Sequence, residues 1–203
     1  FQFSNKLTID HLETANPTVS FAEYAYANPY YRKYGADGKV SRYLYYPEEG
    51  VDDFPVSNPL WNASLNSWDR TGSFGFTNNF IFEWFMLEEL RMRAKFGLSR
   101  TDDDEQTRIS PLHTQFDDMG ETEKGLYTNT RISQMVYEGD VSITYGKLFD
   151  NKHMVNAVGG FNFSSNHQEI FGYAANGFTD DQFDAPSFAN GYPSGEKPDY
   201  NES

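Results

Sequence analysis

The sequence predicts an all-β chain: an antiparallel section of a transmembrane β-barrel, about five strands joined by short turns at one end and long loops at the other. Three observations carry this expectation. Apolar residues recur with period two, long and short connections alternate along the chain, and the apolar residues are unusually aromatic. No run of 18 apolar residues exists to make a membrane helix, a test that barrel strands escape.

The clearest period lies in residues 72–100, GSFGFTNNFIFEWFMLEELRMRAKFGLSR. Phe74, Phe76, Phe80, Phe82, Trp84 and Met86, then Leu90, Met92, Ala94, Phe96 and Leu98, fall on even positions, with Asn78 the exception. Successive side chains of a strand point to opposite faces, so one face is oily. Phe80, Phe82, Trp84, Met92, Phe96 and Leu98 are expected to face lipid, and Glu83, Arg91, Arg93 and Lys95 the lumen. A turn over Leu87, Glu88 and Glu89 would set Met86 opposite Leu90, Trp84 opposite Met92 and Glu83 opposite Arg93. A slip of one residue would turn every side chain over, so the register should be tightly specified.

A soluble antiparallel sheet with one wet face gives the same alternation. Two details favour the membrane. Leu90 to Leu98 spans nine residues, against the roughly 9–11 that cross a bilayer as a strand. Trp84 and Phe85 lie beside the short turn, where an interfacial aromatic girdle would sit.

The remaining elements follow in order. Residues 1–10 alternate, with Phe1, Phe3, Leu7 and Ile9 on one face, and read as a strand whose beginning lies outside the sequence. Residues 11–70 lose the alternation and carry Pro17, Pro29, Pro47, Pro55 and Pro59, so a long loop is expected. Within it Ser20 and Glu23 form a capping box for a short helix. Residues 72–86 and 90–100 form the central hairpin, and 101–124 a second long loop holding Asp102, Asp103, Asp104 and Glu105. Residues 125–149 and 153–165 resume period two across a three-residue turn, with Phe149 expected opposite His153. Residues 166–203 read as a third loop without a closing strand.

Composition narrows the function. Aromatics make up 17% of the 203 residues, and 30 Asp and Glu against 16 Lys and Arg leave a formal charge of −14. A nucleic-acid duplex would repel such a chain. The absence of cysteine removes disulfides, thiolate zinc sites and a cysteine nucleophile. His11, His113, His153 and His167 are scattered, with neither zinc-ligand nor catalytic-triad spacing, and no serine elbow motif occurs. The acidic runs at 102–105 and 180–184 lack the spacing of a calcium loop and read as solvated. No metal, cofactor or catalytic residue is expected. Tyr30, Tyr31, Tyr34, Trp61 and Trp68 offer flat faces that could stack on a sugar ring or a peptide side chain. Their plainer role is to pin the long loop in place.

Several segments together resemble the SusC/RagA type of TonB-linked outer-membrane transporters of the Bacteroidetes. They are SFAEYAYANPYYRKYGADGKV (20–40), NPLWNASLN (58–66), TNNFIFEWFMLEELRMRAKFGLS (77–99), SPLHTQF (110–116), GDVSITYGKLFDNKHMVNAVGGFNF (139–163) and GFTDDQFDAPSFANGYPSGEKP (177–198), in that order. The resemblance implies a barrel of about 22 strands around a plugged lumen, import of an oligosaccharide or peptide driven through TonB, and a SusD-like lipoprotein lid. Outer-membrane lipid would surround the wall. Neither plug nor TonB-contacting segment is found in these residues, so they are expected to be a section of wall and outer loops. The alternative is a soluble or surface-anchored β-domain that binds glycan or protein through residues 11–70. A weaker third reading is a glycoside hydrolase fragment with unassigned carboxylates.

Overall fold

The computed structural model describes residues 1–48, 54–194 and 196–203; residues 49–53, within the expected loop 11–70, and Gly195, within 166–203, lie outside them. In chain order the elements are strand β1 (Gln2–Asn16), helix α1 (Phe21–Tyr26), strands β2 (Tyr43–Tyr45) and β3 (Val56–Ser57), helix α2 (Pro59–Ser64), then strands β4 (Trp68–Leu87), β5 (Leu90–Ile109), β6 (Leu126–Phe149), β7 (His153–Asn176) and β8 (Asp199–Glu202). Six of them form one antiparallel sheet in the order β1-β4-β5-β6-β7-β8, while β2 and β3 pair separately. The sheet is open, with β1 at one edge. No helix among the described residues is long and apolar enough to cross a membrane.

The central hairpin has the register read from its periodicity, with Trp84 opposite Met92 and Glu83 opposite Arg93. Near the turn the expectation needs correction. Leu87 pairs with Leu90, and a register shift between Phe85 and Leu87 leaves Met86 as the extra residue instead of Leu90's partner. Phe149 does pair with His153. The intervening turn places Asp150 and Asn151 at φ 50° and 53°, the left-handed region that short Asx side chains tolerate best after glycine.

The strands run much farther than their apolar alternation. β1 continues to Asn16 instead of ending at residue 10, β4 starts at Trp68, β5 reaches Ile109, and β7 reaches Asn176, where residue 165 was expected. The expected loops 11–70, 101–124 and 166–203 are correspondingly shorter, and β8 adds a strand where none was expected, pairing Glu169 with Glu202 and Gly172 with Asp199. The reason is physical. In these upper halves both faces are polar, so the alternation fades, but the backbone ladder persists and polar side chains bond across it. Ser73 Oγ donates to Asp103 Oδ1 at 2.5 Å, Ser133 Oγ to Asp102 Oδ1 at 2.7 Å and Asn129 Nδ2 to Asp104 Oδ1 at 2.9 Å.

Below these polar halves one face of the sheet is a continuous apolar band. One row of register partners across it reads Phe3, Phe82, Ala94, Val141, Phe161. These side chains are uncovered: Phe3 is 61% exposed, Phe161 68% and Trp84 46%. Gly139 lies within the band, and the Phe163 ring occupies the space a Cβ there would need, an aromatic side chain covering a strand glycine. The buried core lies elsewhere, at the loop end, around Val19, Leu44, Phe116, Tyr127, Ala175 and Phe178.

Candidate functional site

Two regions stand out, a cap of interlocked loops at the long-loop end and a charged trough on the polar face of the sheet. The cap is built from polar residues. Asn58 caps α2, its Oδ1 accepting from the Leu60 amide at 3.1 Å, with Pro59 opening the helix where a missing N–H costs nothing. The same fully buried side chain donates to the carbonyls of Lys33 at 3.0 Å and Ser41 at 2.6 Å, tying the first loop to itself. Asn62 exchanges hydrogen bonds with Thr114 in the second loop. Asp117, also in the second loop, accepts from Arg42 and from the Tyr43 hydroxyl. Burial, then the bond to Asp117, pushes the Tyr43 phenol up to about 12. Desolvation lowers the pKa of His113, outweighing the nearby charges of Glu23 and Asp117.

Arg108, near the end of β5 and fully buried, joins the parts. Its guanidinium donates to the Asn66 carbonyl ahead of β4 and, at 2.9 Å each, to the carbonyls of Asp181 and Phe183 in the third loop. It lies 3.8 Å from Asp181 Oδ1, and its Cζ is 5.8 Å from the centre of the Phe178 ring. Asn66 bonds Asp181 in turn through its amide and side chain. Sequence reasoning missed this hub, because an arginine in a polar stretch carries no pattern and its partners are carbonyls some 40 to 75 positions away.

The expected binding aromatics do not form one surface. Tyr31 stacks on Tyr45 with ring centres 5.8 Å apart. Trp61, on α2, donates from Nε1 to the Leu112 carbonyl at 3.4 Å. Trp68 begins β4 instead of lying in the loop, meets Tyr127 edge-on at 6.1 Å and has Arg70 4.5 Å over its ring. Tyr30 and Tyr34 are exposed, at 93% and 55%. The acidic run 102–105 is also corrected. It belongs to β5, where Asp102 and Asp104 share one face while Asp103 and Glu105 share the other. Two of the scattered histidines do have acidic neighbours: His11 Nε2 is 3.4 Å from Glu13, and His167 is 3.3 Å from Glu169 and 3.7 Å from Glu202. A strand sets residues i and i+2 side by side, which a search at helical spacing overlooks.

In the central hairpin Phe80, Phe82, Trp84, Met92, Phe96 and Leu98 share the apolar face, with the Phe80 and Phe96 rings stacked at 6.4 Å. Glu83, Arg91, Arg93 and Lys95 share the opposite one. A trough of about 700 Å³ lies on that polar face, lined by Lys6, Arg93, Lys95, Gly97, Glu138 and Asp140 among others. Arg93 Nε stands 3.0 Å from Glu83 Oε1 yet is misaligned for a hydrogen bond, so the pair is Coulombic and this buried N–H has no acceptor.

An open antiparallel meander of strands up to 24 residues long, apolar on one face and charged on the other, defines a section of β-barrel wall. Solved structures share it. The RagAB peptide transporter matches with a TM-score of 0.63 at 15% identity, over 82% of this chain and 18% of that one. The RagAB peptide importer matches in its closed-closed state (TM-score 0.61, 12% identity) and its open-open state (0.62, 13%), each over 99% of this chain and 22% of the other. The likeness is one of fold, and the chain spans about a fifth of the length of those chains. No family model and no curated protein matches the sequence.

Proposed function

We propose that these residues are wall and outer loops of an outer-membrane importer of large nutrients, oligosaccharide or peptide, driven through TonB and working with a SusD-like lipoprotein. The chain has no covalent chemistry of its own in this reading. The observation that carries it is the uncovered apolar band, spread over five adjacent strands and set against a charged face with a trough. In water such a band would be a serious liability, whereas a bilayer is its natural solvent. The free edge of β1 supports the reading too, because backbone groups in lipid must pair and neighbouring barrel strands would satisfy them. Strands of 20 to 24 residues exceed the roughly 9–11 needed to cross, so their polar halves would stand outside the membrane and carry the cap. The cap would then form part of the vestibule and the seat for the lipoprotein.

These 203 residues contain no cysteine, so once any cysteine elsewhere in the full polypeptide is replaced by serine, each introduced one is labelled alone. Single cysteines at positions 80 to 84 of the full polypeptide, in outer membranes, are labelled with a water-soluble maleimide. Labelling at Ile81 and Glu83 but not at Phe80, Phe82 or Trp84 is expected. Uniform labelling, or the full polypeptide in the soluble fraction, would instead favour the soluble β-domain.

A further inference from the structure

Strand geometry assembles a set of metal-ligating side chains above the apolar band. His167 and Glu169 stand two residues apart on β7, on the face that carries Phe161 and Phe163, and Glu202 on β8 is the register partner of Glu169. His167 Nε2 lies 3.3 Å from Glu169 Oε1 and 3.7 Å from Glu202 Oε1, and one ligand atom from each residue falls within 4.8 Å of the other two. The Tyr200 hydroxyl donates to Glu202 Oε2 at 3.0 Å, leaving Oε1 toward the imidazole. Carboxylates directly opposite on neighbouring strands repel each other. Among the described residues no Lys or Arg forms an ion pair with Glu169 or Glu202. Arg100, whose charge reaches Glu169, is engaged by both oxygens of Asp102 at 2.8 and 3.0 Å. A neutral imidazole adds no charge to offset the two glutamates, whereas a dication offsets both and takes the imidazole lone pair at the same point.

We propose that His167, Glu169 and Glu202 bind a divalent transition-metal ion of the zinc class, which staples β8 to β7. The spacing suits such an ion: bonds of about 2.1 Å at tetrahedral angles set ligand atoms about 3.4 Å apart. One nitrogen and two carboxylates favour zinc over magnesium or calcium, which take larger shells made of oxygen alone. All three side chains are exposed, so water completes the shell. What the ion would hold is the return of the third loop. β8 has only four residues, every one exposed, and its bonds run to β7, among them the reciprocal pair of Gln168 and Ser203 at 2.8 and 2.9 Å. The loop that ends there supplies the Asp181 and Phe183 carbonyls to Arg108, so the staple closes its base while Arg108 holds its tip. The site does not depend on the importer reading.

The experiment is amide hydrogen exchange of the purified full polypeptide at neutral pH, with zinc chloride, with magnesium chloride or with a chelator. Zinc at ten times its midpoint concentration should slow exchange at Gln168 and Ser203 about tenfold, because it binds only the closed pair. Exchange in β5 and β6 should not change, and magnesium should slow neither amide. His167→Ala and Glu202→Gln should each raise the zinc midpoint about tenfold or more. In chelator Glu202→Gln should exchange no faster than wild type, since it removes one of two opposed charges. Zinc without effect on the wild type would overturn the site. Equal slowing in both variants would do the same by placing the metal elsewhere in the polypeptide, and slowing reproduced by magnesium would reduce it to charge screening. If His167→Ala in chelator loses as much protection as zinc confers on the wild type, His167 is itself the bridging cation and the metal site is excluded.

Discussion

The wall and the cap solve opposite problems with opposite residues. The wall holds large apolar side chains in the open, Phe3, Phe82, Trp84 and Phe161 among them, and its order comes from backbone ladders of up to 24 pairs between neighbouring strands. The cap buries Val19, Leu44, Phe116 and Phe178, and beside them it places Asn58, Asn62, Ser110 and Arg108 inside, each at 3% exposure or less. A ladder tolerates substitution because every residue contributes similar backbone bonds. A cap closed on a few buried polar groups does not, because each lost partner leaves donors and acceptors dry. The wall should therefore fail gradually and the cap at single positions.

The largest expected effect follows at Arg108. Arg108→Ala deprives the carbonyls of Asn66, Asp181 and Phe183 of a shared donor and leaves Asp181 without its cation, a loss of about 3–5 kcal/mol by analogy with broken buried ion pairs. Hydrogen exchange should rise across 177–190 and in the segment before β4, while β6 and β7 below the cap stay protected. Faster exchange in the wall as well would mean that the two regions do not separate. The converse variant, Phe82→Arg, places a cation in the apolar band and is expected to cost about 2–4 kcal/mol near a bilayer midplane. It should reduce assembly of the full polypeptide into outer membranes, read as loss of the heat-sensitive compact band on a gel. Cap contacts should be intact in whatever fraction assembles.

The same contrast explains what could be read in the sequence. The apolar face, the polar face and the pairing of Glu83 with Arg93 were legible because period two is a local property, visible within a dozen residues. The upper halves of β5 and β7 were not. Asp102 to Glu105 look like a solvated loop on composition, and only their partners Ser73, Ser133 and Asn129 on neighbouring strands reveal a ladder. Ser20 and Glu23 announced their capping box because both halves lie within one turn. Asn58 carries no such local signal, since its buried bonds to Lys33 and Ser41 span 25 and 17 positions. The trough was half visible. Arg93 and Lys95 could be assigned to a face, but Glu138 and Asp140, which give it two signs, come from β6 beyond the intervening loop.

A smaller effect is expected where the cap's polar lock is partly wet. Tyr43→Phe removes one bond to Asp117 and should cost the cap about 1–2 kcal/mol. Its pH dependence has a definite sign. The folded phenol titrates near 12 against an unfolded value of 10.0, so its contribution is complete below about pH 10 and disappears as the pH rises toward 12. Absorbance titration should find one tyrosine fewer in the late fraction of the variant. An unchanged late fraction would break the link between Asp117 and the cap.

The smallest effect separates the wall from the cap most sharply. Glu83 and Arg93 are a close ion pair in the wall, with side chains 22% and 40% exposed. A pair this accessible is worth about 0–1 kcal/mol, and the missing hydrogen-bond alignment keeps it toward the low end. Glu83→Gln should therefore leave assembly and heat stability of the full polypeptide nearly unchanged, in contrast to Arg108→Ala. A loss comparable with that of Arg108→Ala would show that the wall too depends on a single charge, and that the register is held by side chains as much as by the backbone ladder. If the ladder suffices, Arg93 does not need Glu83 for the fold. Its guanidinium can then turn toward whatever occupies the trough, without cost to the strand that carries it.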